Sequence, residues 1–180
     1  MIAFMSSQSG AGQDIWVINA DGSGLRQLTT GVTQDFNPSW SPDGARIAFA
    51  SGYSPDKEER PEIWVMDADG ANKIQLTEGS ESYDYPVWSS DGSMIAYSSR
   101  RLGPLGDIWV MNADGRGKTK LTRSSIPSLT CKQRWTTFEE PKWSPDGTKL
   151  LFRGCRHEGG GSLDCDTLWV MALNLENGLS

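Results

Sequence analysis

Trp40-Ser41-Pro42-Asp43-Gly44-Ala45-Arg46-Ile47-Ala48-Phe49 decides the fold, because it returns as Trp88-Ser89-Ser90-Asp91-Gly92-Ser93-Met94-Ile95-Ala96-Tyr97 and as Trp143-Ser144-Pro145-Asp146-Gly147-Thr148-Lys149-Leu150-Leu151-Phe152. Each copy reads as a strand ending in Trp, a tight turn, and an apolar strand ending in an aromatic residue, which is a β-hairpin. Pro sets φ near −65° early in the turn, Asp accepts hydrogen bonds from nearby backbone N–H groups, and Gly takes the φ > 0 position. Turn geometry accounts for these residue types without any chemistry.

A second signature follows: Asp14-Ile15-Trp16-Val17-Ile18-Asn19-Ala20-Asp21-Gly22, Glu62-Ile63-Trp64-Val65-Met66-Asp67-Ala68-Asp69-Gly70 and Asp107-Ile108-Trp109-Val110-Met111-Asn112-Ala113-Asp114-Gly115. A fourth copy, Thr167-Leu168-Trp169-Val170-Met171-Ala172-Leu173-Asn174, lacks the Asp-Gly turn. Leu28-Thr29, Leu76-Thr77 and Leu121-Thr122 close the first three units, so each unit is four short strands. The spacing from Trp16 to Trp64 is 48 residues and from Trp64 to Trp109 is 45, which suits one propeller blade of about 40–50 residues. No window carries a 3.6-residue apolar period long enough for a helical solenoid. The fold class is therefore all-β, a propeller of four-stranded antiparallel blades with about three and a half blades present.

These motifs resemble the repeat of TolB-like β-propellers, related in architecture to WD-type repeats. The resemblance implies a module that docks partner proteins, in a periplasmic or secreted setting. The alternative it implies is the gating propeller of a prolyl-oligopeptidase-like serine hydrolase. Propellers host unrelated activities, so the fold alone does not choose.

The organisation is one propeller segment: 1–29 a partial blade, 38–77 and 86–122 complete blades, and 141–175 a partial blade. Cuts within blades predict an open arc, or a piece of a longer chain, with a closed four-bladed ring as the competing reading. Faces bearing Ile15, Val17, Leu168 and Val170 are expected to lie open and to drive self-association. The seven tryptophans at repeat positions, Trp16, Trp40, Trp64, Trp88, Trp109, Trp143 and Trp169, are expected in the core.

The net charge of −6 leaves no basic face to neutralise phosphates, which argues against nucleic acid. No apolar run approaches the ~20 residues of a membrane helix. A Ser/His/Asp site would need His157, the single histidine, in a glycine-rich loop ill suited to holding a base, and no nucleophile elbow or phosphate-cradling loop occurs. The chain reads as non-catalytic, without cofactor or metal. Cys155 and Cys165 bracket the last long loop and can face each other across a hairpin. Three reduced thiols, or a Cys131–Cys155 bridge, are the competing readings.

Antiparallel order puts every tight turn on one face and every long connection on the other, the candidate binding face. On it, Trp135 lies beside Lys132 and Arg134 in the longest connection between blades. Trp and Arg are the types enriched at interface hot spots; the competing role for Trp135 is to cover its own loop. Asp35-Phe36-Asn37-Pro38, Tyr83-Asp84-Tyr85-Pro86 and Phe138-Glu139-Glu140-Pro141 precede the first strands, and their side chains, Asp84, Tyr85 and Glu139 foremost, are expected to ring the mouth of the central channel. Carboxylates there would offer oxygen ligands of the kind Ca²⁺ takes. The aligned position four before each Trp reads Phe36, Asp84 and Glu139, so the acidic ring is broken and solvated acids are the simpler reading.

Overall fold

The computed structural model describes residues 1–7, 12–53, 60–100, 106–123, 135–158 and 162–173, with the backbone alone for 135, 136, 156–158 and 162–166. β1 (Ile2–Ser6), β2 (Asp14–Ile18) and β3 (Arg26–Gln27) form the first sheet. β4 (Gln34–Trp40), β5 (Arg46–Tyr53), β6 (Glu62–Asp67) and β7 (Ile74–Gln75) form the second. β8 (Ser82–Trp88), β9 (Met94–Arg100), β10 (Gly106–Asn112) and β11 (Thr119–Lys120) form the third, and β12 (Trp135–Trp143), β13 (Lys149–Glu158) and β14 (Ser162–Ala172) the fourth. Strand order follows chain order in each sheet and every pairing is antiparallel. These are propeller blades, and no helix occurs among the described residues.

The repeated hairpin turns are held by the side chains that recur in them. Ser41 Oγ donates to Asp43 Oδ1 at 2.5 Å, Asp43 Oδ1 accepts from Ala45 N at 3.0 Å, and Arg46 N donates to Ser41 Oγ at 2.9 Å. Ser89 with Asp91 and Ser144 with Asp146 repeat the arrangement. Gly44, Gly92 and Gly147 take φ of 68°, 73° and 71°, as the sequence required. The serine hydroxyls, then the backbone N–H groups, lower the carboxyl pKa of Asp43 and Asp91 and bring that of Asp146 to about 2. Because these folded values lie below the unfolded ~3.9, their contribution is complete above about pH 4 and is lost as pH falls through the folded values. The urea midpoint should therefore fall between about pH 4 and about pH 2, and Asp146→Asn should remove part of that fall. An unchanged pH dependence in the variant would refute the assignment.

Between blades, one sheet offers an apolar face on which Ala, Val and Ile prevail and the next an apolar face with larger side chains. Ile15 and Val17 meet Ile47, Phe49 and Met66; Ala48, Ala50, Ile63 and Val65 meet Trp88, Ile95, Tyr97 and Met111; Ala96, Ile108 and Val110 meet Leu150 and Phe152. Ile15 and Val17, expected to lie open, are fully buried in the first of these junctions. The correction follows from the two-residue period of a strand: the open face of the first sheet is the other one, carrying Ile2, Phe4, Trp16 and Ile18. Leu168 and Val170 do lie open, 68% and 66% exposed. Of the repeat tryptophans, Trp88 is buried, Trp16, Trp40, Trp64, Trp109 and Trp143 are half-buried, and Trp169, expected in the core, is 43% exposed. Trp109 is flanked by Lys120 of its sheet's fourth strand, with Nζ 5.9 Å from the ring, whereas the described residues of the fourth sheet supply no fourth strand for Trp169.

Gly70 shows why the Ala-Asp-Gly turn ends as it does. At φ 91° it lies against the preceding blade, where a Cβ would sit 3.0 Å from the Leu28 carbonyl oxygen; Gly115 repeats this against Leu76. Turn and neighbouring blade are thereby locked together.

Candidate functional site at the axial mouth

The first strands start upstream of the prolines that the sequence suggested as their beginnings, at Gln34, Ser82 and Trp135. Each runs through its X-Pro pair by means of a β-bulge, between Phe36 and Ser39, Asp84 and Val87, and Glu139 and Lys142. Pro cannot donate to a ladder and is tolerated on an edge strand or at a bulge, and β4, β8 and β12 are edge strands. The residue before each proline, Asn37, Tyr85 and Glu140, is left-handed, with φ of 52°, 51° and 55°. A left-handed non-glycine residue costs ~1–2 kcal/mol, and three at equivalent positions mark a feature imposed by the surrounding structure.

The bulges carry these residues to the axis. Asn37, Tyr85 and Glu140, with Pro38, Pro86 and Lys142, line a cavity of about 440 Å³ between the inner strands of the four sheets. Next to it, toward the long connections, opens a cleft of about 340 Å³ lined by Phe36, Asp84, Ser98, Arg100, Phe138 and Glu139 among others. Asp84 and Glu139 line this cleft, and Tyr85 lines the axial cavity beside it. Asp84 and Glu139, read from the sequence as solvated loop acids, are both held by neighbouring side chains.

Asn37 Nδ2 donates to Asp84 Oδ1 at 2.7 Å, tying the second sheet to the third, and Tyr85 N donates to the same oxygen at 2.6 Å. Glu139 accepts from Arg100 at 2.9 Å and from Arg153 at 2.8 Å, tying the third sheet to the fourth, while Arg153 also reaches Glu140 at 2.9 Å. Burial raises the Asp84 carboxyl above the usual range, opposed by Asn37 and the Tyr85 N–H. Glu139 raises the Arg153 pKa, so this guanidinium is a permanent cation. Among the described residues no group of three or more His, Cys, Asp or Glu is placed to hold a metal ion.

Sequence reasoning missed Arg100 and Arg153. Both lie on second strands, Arg100 at the end of β9 and Arg153 within β13, and the only signal was the cross-strand register that sets Glu139 opposite Arg153. Lys132 and Arg134 lie outside the described residues, as does the side chain of Trp135, whose backbone pairs with His157. Cys155 is disulfide-bonded and buried, its Sγ 3.4 Å from Glu139 Oε1. The register passes from Gly154–Thr167 to Arg156–Asp164, so the bulge opposite Cys155 contains Cys165 and Asp166. Cys131 and the Cys165 side chain lie outside the described residues.

The family model for the TolB beta propeller domain matches residues 1–130. The chain belongs to that family. A putative TolB from Agrobacterium tumefaciens superposes with a TM-score of 0.70 at 22% identity, over 92% of this chain and 60% of that one. TolB from Acinetobacter baumannii gives 0.64 at 20% identity, over 92% and 41%. These likenesses concern the fold, and the chain spans less than two thirds of either TolB chain. A stretch of 41 residues is 42% identical to dipeptidyl-peptidase 5 of Porphyromonas gingivalis, 23% of this chain and 6% of that protein. Among the described residues no helix is long and apolar enough to cross a membrane.

Proposed function

We propose that this TolB-family propeller is a non-catalytic docking module that receives a partner protein at its axial mouth. The observation that carries the reading is the network of Asn37, Asp84, Arg100, Glu139 and Arg153, which joins three blades around an open cleft. Ion pairs at a partly exposed rim add little stability. What they provide is a fixed pattern of charge, which favours specific and rapid recognition. Lys132, Arg134 and Trp135 would extend this surface. A Cys155–Cys165 bridge would staple the last hairpin beside Glu139 and fits an extracytoplasmic location.

The test places a photo-crosslinking residue at Tyr85, at the mouth, or at Asp69, on the tight-turn face, in the native host. Discrete protein adducts are expected from Tyr85 and not from Asp69, and Arg100→Glu should remove them by placing a second anion beside Glu139. Equal adducts from both faces would refute the reading. Turnover of peptide or ester substrates by the isolated chain would refute its non-catalytic part.

The match to dipeptidyl-peptidase 5 favours a second reading, the gating propeller of a serine hydrolase. It ranks below the first because 41 residues is less than one repeat of this chain. Labelling of the native protein by a fluorophosphonate would reverse the order.

A further inference from the structure

At the second and third junctions between blades, two aromatic rings meet edge to face near the long-connection end. They are Tyr83 with Tyr97, 5.9 Å between centroids, and Phe138 with Phe152, 5.6 Å. In each pair one residue lies five before the first-strand tryptophan and the other nine after it. At the first junction those two places hold Asp35 and Phe49. Where the sibling junctions are plugged by a ring, this one has a carboxyl group, and a cleft of about 680 Å³ opens there. Asp35, Phe49, Arg60, Glu62, Trp64 and Lys73 are among its lining residues.

Asp35 is only 5% exposed, and its Oδ1 has no hydrogen-bond donor. A buried acceptor left unsatisfied costs ~1–3 kcal/mol, more when charged, so an acid in place of a plugging ring is a poor choice for stability alone. Burial raises the Asp35 carboxyl above the usual range over the opposing pull of the Ser51 and Thr29 hydroxyls, and nearby Asp14 adds to the rise. The lining charges of Asp35 and Glu62 match those of Arg60 and Lys73, and Asp14 tips the region negative. Lys73 is engaged, donating to the Leu28 carbonyl at 3.3 Å. The described residues offer no set of three metal-binding side chains. An aromatic lining suits an organic cation better than a hydrated metal ion.

We propose that this cleft binds a small molecule with a primary ammonium group on an aromatic or apolar body, the ammonium donating to Asp35 and the body resting on Phe49 and Trp64. The site lies at the first blade junction, apart from the partner surface proposed above, and does not depend on it.

Benzylamine is a suitable probe and benzyl alcohol its uncharged counterpart, both titrated into the full chain by NMR. Saturable benzylamine binding about tenfold or more tighter than that of the alcohol is expected, and Asp35→Asn should weaken it about tenfold. Asp35→Tyr together with Phe49→Tyr installs the sibling pair and should abolish binding while raising the melting temperature. Absence of saturable benzylamine binding overturns the proposal, as does equal affinity for the two probes. Undiminished binding in Asp35→Asn does so too, and decides the matter by itself should the double variant not fold. A buried water satisfying Asp35 without any ligand would give the first of these results.

Discussion

Thr77→Val is expected to lower the stability of the chain by about 2–4 kcal/mol, although it removes one hydroxyl and keeps the shape of the side chain. Thr77 is buried; its Oγ1 accepts from Ile63 N at 2.8 Å and donates to Glu62 Oε2 at 2.5 Å. Valine would leave a buried N–H and a carboxylate short of partners at once. Burial already raises the Glu62 carboxyl despite Thr77, and its further contact is Gly79 N at 3.2 Å. Thr122→Val and Thr29→Val should cost less. Thr122 joins Ile108 N to Asp107, which keeps Lys120 at 2.5 Å, and Thr29 accepts from Ile15 N while Gln27 holds Asp14 at 2.9 Å. Exposed Thr30→Val should stay within about 0.5 kcal/mol of the parent. Urea unfolding of the four variants tests the ranking, and a Thr77→Val loss no larger than that of Thr30→Val would disprove the role.

This network marks how far the sequence could be read. Leu-Thr was legible as the close of each blade because it recurs, and the acid before Ile-Trp-Val because it recurs too. That Thr29, Thr77 and Thr122 reach back to the acidic strand could not be read from a linear pattern, since the contact spans fourteen or fifteen residues and depends on two strands pairing in one register. The strands of the described residues, their order and the hairpin turns were legible for a different reason. They follow from local rules of turn chemistry and alternation, repeated often enough to expose exceptions. The axial site was legible only in part. The segments before the first strands, with Asn37, Asp84, Tyr85 and Glu139, were the expected mouth, but Arg100 and Arg153 lie on second strands, where no local pattern points to them. Asp35, expected at the same mouth, lines the cleft at the first blade junction instead, in the place that Tyr83 and Phe138 hold in the next two sheets, each paired with the second strand at the same position.

The two unpartnered sheet faces lead to the other large effect, self-association of the 180-residue chain. Every internal junction mates two apolar faces, with Ala, Val and Ile prevailing on one and larger side chains such as Phe49, Trp88, Tyr97 and Phe152 on the other. Among the described residues the fourth sheet presents an unmated apolar face, with Leu151, Leu168 and Val170 exposed, and the first sheet another, carrying Ile2, Phe4, Trp16 and Ile18. Both faces are apolar and lie on the first and last blades, so contact between copies runs head to tail, and it closes or propagates according to the rotation per copy. Apolar strands of this kind are held apart by charge far more readily than by size, because an ionised side chain at the centre of such a junction loses its water without gaining a partner. Sedimentation velocity should show mass rising with concentration for the parent chain, and a monomer at the same concentrations for Leu168→Glu with Val170→Glu. Both substituted positions are already exposed, so the variant should keep its circular dichroism spectrum. A parent chain that stays monomeric throughout, or a variant that associates as strongly as the parent, would show that these faces do not recognise each other.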